Sequence, residues 1–170
     1  DGDVAQESTW LRVVEKAQEM GLPISHLINC AGVIRPGFLE DYGMEDIDYH
    51  LNCNAKGTIL GTTLIGRAMK NQGFGHILNI SSLAGLAPVS GLSLYAASKF
   101  AVRGFSLSVA AELKKYGVWV TVICPDLPPK RSLSITSVVF FMLALQLVCS
   151  PLIIKRHTAL RAEGIDQFNQ

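Results

Sequence analysis

The chain has 170 residues, 15 Lys and Arg against 14 Asp and Glu, and a formal net charge of +1. That length fits one domain with a real core, and a near-neutral balance without a basic run excludes an electrostatic nucleic-acid footprint. The four cysteines, Cys30, Cys53, Cys124 and Cys149, are scattered among apolar neighbours with no ligand spacing, which predicts buried free thiols, a reducing compartment and no metal centre.

The opening DGDVAQEST is acidic and polar, so no secretory or transit peptide is expected, and the absence of an initiator Met predicts a fragment or a processed product. Trp10, Val13, Val14, Ala17 and Gly21 recur at helical spacing, so ESTWLRVVEKAQEM predicts an amphipathic helix stopped by GLP. SHLINCAG predicts a buried parallel strand ending near Asn29. From Met44 to Lys70 the pattern is that of one long, bent helix. Ile47, Leu51, Ala55 and Ile59 form one stripe, and Gly57 and Gly61 form another that admits a close neighbour. NQGFG is a turn, HILNISS a second strand, Ser93 to Tyr116 a helix, and GVWVTVICP a third strand.

Helices and strands therefore alternate, the pattern of an α/β doubly wound parallel sheet of the Rossmann type with helices on both faces. In such sheets ligands bind beyond the carboxyl ends of the strands, where this chain carries NCAG, ISSLAG and CPD. After Asp126 the pattern breaks. Residues 1–126 form the predicted domain and 127–170 a divergent apolar tail. Its stretch Leu133 to Ile154 has the length of a membrane span with basic flanks, or of a buried core helix, or is a non-native reading of this end of the gene.

Tyr95 and Lys99 in YAASK lie four apart and share a helix face, bringing a phenol beside an ammonium. Bringing a tyrosine from about 10 to about 7 takes roughly 4 kcal/mol of differential stabilisation, after which it serves as general acid or base. Ser82, at the end of the preceding strand, is placed to hydrogen-bond the oxygen that exchanges a proton with Tyr95. Alone, this spacing fits equally a surface tyrosine, a solvated lysine and a serine cap. His26, His50 and His76 read as unpaired surface or boundary residues. Asp46 and Asp48 suit a helix start, and Trp10 and Trp119 suit packing.

Taken together, NCAG, NAKG, ISSLAG and YAASK resemble the short-chain dehydrogenases/reductases, single-domain branch, over about Asp3 to Pro125. The resemblance implies a nicotinamide cofactor, NAD or NADP, exchanging hydride with a ketone or secondary alcohol. It makes Tyr95 the proton donor and acceptor, and has Lys99 depress the Tyr95 pKa and hold the cofactor ribose. Ser82 would bind the substrate oxygen and Asn54 support a proton relay, with Ser81 and Asn52 the lesser candidates. Asp3, Val4, Asn29, Ala31, Gly32, Tyr95, Lys99 and Pro125 would line the cofactor site, with Cys30 where the family has a second Asn.

Two departures stand out. The glycine-rich pyrophosphate turn is absent and is expected upstream of residue 1, which would leave the SHLIN strand on an edge. CPDLPPK also lacks the Pro-Gly and later Thr of the family. The expected partners are a small carbonyl or alcohol substrate, a membrane through 133–154 and a second copy in a homo-oligomer, with no nucleic acid. The expected location is intracellular, in the cytoplasm or on a membrane facing the cytosol. The competing readings are a catalytically inactive truncated variant acting as a binding or membrane-tethered module, and a sugar epimerase or dehydratase.

Overall fold

Glycine sets the punctuation of the chain. Gly73 (φ 81°) and Gly117 (φ 74°) occupy the left-handed region that other residues avoid, and each closes a helical segment and turns the chain into a strand. The computed structural model describes residues 2–125. Within them the order is α1 (Glu7–Glu19), β1 (His26–Asn29), α2 (Met44–His50), a π-helical segment (Leu51–Lys56), α3 (Gly57–Gln72), β2 (Gly75–Ile80), α4 (Ser93–Leu113) and β3 (Val118–Ile123). This is the predicted succession, with the long second helix interrupted by a wider π turn.

The three strands form one parallel sheet in the order β1-β2-β3. Its register sets Asn29 beside Asn79, and His76 between His26 and Trp119. Alternation along the strands puts Leu27, Ile77, Val118 and Val120 on one face, and the core closes there against Trp10 and Val14 of α1, Ile65 and Met69 of α3 and Leu113 of α4. Burying side chains such as Ile65, Met69 and Ile77 completely stabilises the fold by about 1.5–3 kcal/mol each. Among the described residues the long helices thus cover one face rather than both. On the other face Ile28 is exposed and Trp119 is 50% exposed, whereas Trp10 belongs to the core. β1 is bonded only to β2 and is an edge of the described sheet.

Helix α3 packs through its glycines. A Cβ at Gly57 would come within 2.7 Å of Val4, and one at Gly61 within 2.6 Å of Asn29 and 2.7 Å of Trp10. The larger stripe fares differently: Ala55 is buried, Ile47 and Ile59 are partly buried and Leu51 is exposed, because the π turn shifts the helical register that a single α-helix would keep. Beneath the sheet a polar lattice ties four elements together. Asn29 Nδ2 donates to Asn79 Oδ1 (2.8 Å) and Thr62 Oγ1 (3.1 Å), Thr62 Oγ1 to Asn79 Oδ1 (3.2 Å), and Asn79 Nδ2 to Ser106 Oγ (2.9 Å). Such a lattice is stable in the interior because its members find partners.

Three expectations are corrected. His50 is completely buried rather than superficial: its Nε2 accepts from Arg35 N (3.0 Å) and its Nδ1 donates to Asp46 O (2.8 Å), which selects one neutral tautomer. His26 and His76 are neighbours, their rings 6.2 Å apart, because parallel register aligns them. Burial and then the His26 charge hold His76 below the ordinary imidazole range. The thiols are not buried: Cys30 is exposed beyond the last residue of β1, and Cys53 and Cys124 are partly exposed. Cys149, the stretch 133–154 and Asp126 lie outside the described residues. Among those described, no helix is long and apolar enough to cross a membrane.

Candidate active site

The carboxyl ends of β1 and β2 open toward the start of α4. Ser81 and Ser82 follow β2 directly, and their two hydroxyls have different surroundings. Ser81 Oγ donates to the Lys99 carbonyl (2.8 Å). A Cβ at Gly85 would lie 2.5 Å from that Oγ and 2.8 Å from the Lys99 oxygen, so only glycine lets the loop close on α4. Ser82 adopts an extended conformation, caps the short 3-10 turn Leu83–Gly85 and accepts from Ala84 N (3.2 Å). Its hydroxyl hydrogen is therefore available, and Ser82 is the better of the two to meet a substrate.

Tyr95 and Lys99 lie one turn apart on α4, with the Lys99 ammonium 5.7 Å from the centre of the Tyr95 ring. Lys99 is buried at 5% exposure, and its Nζ donates to Ile80 O at the end of β2 (3.0 Å). One acceptor leaves two of the three ammonium donors for a ligand. Burial holds Lys99 below its ordinary value, with Cys30, Cys53 and Cys124 acting in the opposite direction through their charges.

Asn54, in the π segment, is fully buried and acts as a clamp. Its Oδ1 accepts from Val33 N (2.7 Å), and its Nδ2 donates to Val33 O and to Ser98 Oγ (2.9 Å each). Ser98 Oγ in turn donates to Tyr95 O (2.7 Å). The loop after β1, the π segment and the first turn of α4 are thereby locked together. A Cβ at Gly32 would stand 3.5 Å from both Asn54 Oδ1 and Lys99 Nζ, so the backbone at Gly32 passes close to the same two groups.

Beside this cluster is a cavity of about 50 Å³ whose lining includes Val4, Asn29, Cys30, Ala31, Cys53 and Gly57. Asp3 Oδ1 accepts from Ala5 N (2.9 Å) and Val4 O from Trp10 Nε1 (2.9 Å), which fixes the entry to α1. The Asn29 amide is turned into the polar lattice, so its side chain supports the sheet. Pro125 O accepts from Leu83 N (2.8 Å) and holds the loop that carries Ser82. Burial, then the Asp3 charge, pushes the Cys53 thiol above its usual range, partly offset by Lys99.

The structure brings Asn54, Gly32, Tyr95, Lys99 and the end of β2 together, with Ser82 at that end, and sets Val4, Asn29 and Ala31 around the adjoining cavity. Sequence reading missed Ser98 and His50. Ser98 sits three residues after Tyr95, inside YAASK, and a hydroxyl on the buried side of a helix next to Lys99 was the one available signal. His50 carried none, because a single histidine early in a helix reads as surface.

The family description "short chain dehydrogenase" matches residues 1–127. Among curated proteins, the 3-alpha-(or 20-beta)-hydroxysteroid dehydrogenase of Mycobacterium bovis is 38% identical over 125 residues, covering 74% of this chain and 48% of the relative. The 3-ketodihydrosphingosine reductase of Bos taurus is 33% identical, over 72% of this chain and 37% of that protein. This chain therefore spans half or less of the length of these two relatives. Among solved structures, ElxO with NADP bound superposes with a TM-score of 0.70 at 27% identity, over 74% of this chain and 51% of that one. NAD+-bound xylitol dehydrogenase gives 0.69 at 28%, over 73% and 48%.

Proposed function

This chain belongs to the short-chain dehydrogenase family, and from that premise we propose that it serves the interconversion of a ketone and a secondary alcohol, with Tyr95 exchanging the proton. The observation that carries the reading is the buried Lys99 ammonium, held by Ile80 O one helical turn from Tyr95 and next to the Gly32 backbone. An ammonium in that position, with donors to spare, fits the hydroxyl-rich ribose of a nicotinamide dinucleotide. Such a cofactor supplies or accepts the hydride when bound. The likeness to structures holding NADP and NAD+ supports the cofactor class without choosing between them.

In this reading Tyr95 protonates the substrate oxygen during reduction and takes the proton back during oxidation. Ser82 donates its hydroxyl hydrogen to the same oxygen and orients it. Lys99 holds the ribose and faces Tyr95 with positive charge. Asn54 is a positioning residue: its amide is fully engaged in fixing the Val33 loop and, through Ser98, the turn that bears Tyr95. Asp3, Val4, Ala31, Gly32 and Pro125 form the lining against which the dinucleotide lies, and Asn29 supports that lining from below.

The test is a titration of NADH and of NADPH, followed by the fluorescence of the bound nicotinamide. We expect one or both to bind, and Lys99→Met to weaken binding at least tenfold while the circular dichroism spectrum keeps its folded form. Absence of binding by either nucleotide would overturn the reading.

A further inference from the structure

Two loops flank the cluster of Ser82, Tyr95 and Lys99, and they are joined. Gly37 N donates to Gly91 O (2.9 Å), and Gly37 pairs with Leu92 in an isolated parallel bridge. Phe38 lies beside Gly91, its ring 3.9 Å from where a Cβ would stand. The first loop is also anchored at its base, by Asn54 on Val33 and His50 on Arg35. The side chains these loops carry are apolar and face solvent: Phe38 is 59% exposed and Leu39 85%, and Ile34, Leu83, Leu86 and Val89 are exposed as well. Scattered exposed apolar residues need no explanation, but six on two tied loops beside a reactive cluster form a patch that calls for a ligand.

We infer that these loops are the binding wall for the body of the substrate, and that the substrate is a ketone or alcohol carried on an extended hydrocarbon framework rather than on a sugar or a short polar acid. The inference rests on the oxidoreductase reading above and names its substrate class. The wall is continuous with the reactive cluster: Leu83 follows Ser82, and the second loop runs from Leu86 to Leu92, three residues before Tyr95. A carbonyl held between Ser82 and Tyr95 leaves its carbon skeleton lying toward Phe38, Leu86 and Val89. A polar skeleton would lose water there and find no hydrogen-bonding side chain among these six residues.

The experiment measures kcat/KM for butanone, octanone and dodecanone, each with the carbonyl at the second carbon, in the cofactor-loaded protein. Full burial of a methylene is worth about fourfold, and a wall that covers one side of the chain should give about twofold per methylene. The double substitution Phe38→Ser and Leu39→Ser should flatten that rise while leaving butanone within about twofold. Displacement of an apolar fluorescent probe by dodecanone, measured in parallel, reads the wall without turnover.

A rise with chain length that the double variant abolishes supports the inference. A flat series, or a rise untouched by the double variant, overturns it. An oligomer that the double variant dissociates, with no change in the series, would assign the surface to a second copy and also overturn it. If no ketone is turned over, the oxidoreductase reading fails by itself, and probe displacement still decides whether the wall takes hydrocarbon.

Discussion

The two sides of the crevice are built differently. On the proton-transfer side, Asn54, Ser98, Ser81 and Lys99 are buried and their polar atoms are tied to backbone or to one another, so Tyr95 and Ser82 stand on a rigid base. On the side of Val4, Cys30 and Ala31 the wall is a small cavity edged by an exposed thiol and an edge strand. The contrast teaches that residues 2–125 contain what holds the acid/base geometry, whereas the cofactor side is a shallow surface against which a dinucleotide would lie. A catalytic arrangement held by side-chain bonds keeps its shape independently of what lies across the crevice.

The largest test of that contrast is Tyr95→Phe. It deletes one oxygen from the rigid side and should lower kcat by about 10²–10⁴-fold with nucleotide affinity unchanged, read by steady-state kinetics beside a binding titration. An equal loss of nucleotide affinity would mean that the two sides are not separable. Next is Asn54→Ala, which leaves both Val33 backbone groups and Ser98 short of a partner. It should cost about 3 kcal/mol in urea unfolding, and a loss below about 1 kcal/mol would show that the clamp does not set stability.

A smaller effect follows from pH. Burial lowers Lys99 from 10.5, so the unfolded chain binds its proton more tightly than the folded one. Stability should therefore rise as pH climbs through the folded value toward 10.5. Urea midpoints against pH should show this rise in the wild type and a flatter profile in Lys99→Met.

The smallest effect belongs to the open side. Iodoacetamide should label exposed Cys30 several-fold faster than Cys53, whose thiol burial pushes up. Peptide mapping checks this, and equal rates would place both thiols in one environment.

Much of the fold was legible because periodicity is local. The strand ends at Asn29 and Ile80, and the α4 face shared by Tyr95 and Lys99, follow from spacing alone. Tyr95, Lys99 and Ser82 could be marked because each sits at a strand or helix end where the pattern changes. What spacing does not carry is which surface meets which. His50 is buried because Arg35 N reaches it from fifteen residues away, and Asn54 clamps Val33 across twenty-one. Cys30 looked like core because its neighbours in sequence are apolar, but β1 ends one residue earlier. Covering of one sheet face and not the other is a tertiary fact, and no strand of four to six residues encodes it.

The π segment Leu51–Lys56 has a consequence for what this lineage of sequences can tolerate. A π turn accommodates an extra residue in a helix, and removing that residue would rotate everything after it by about 100° relative to everything before. Asn54 toward Val33 and Gly61 toward Trp10 are satisfied together only with the insertion in place. A single-codon deletion here is thus a change of phase rather than a local trim. It would set the clamp and the glycine seam in conflict, although every side chain that makes them remained in the chain.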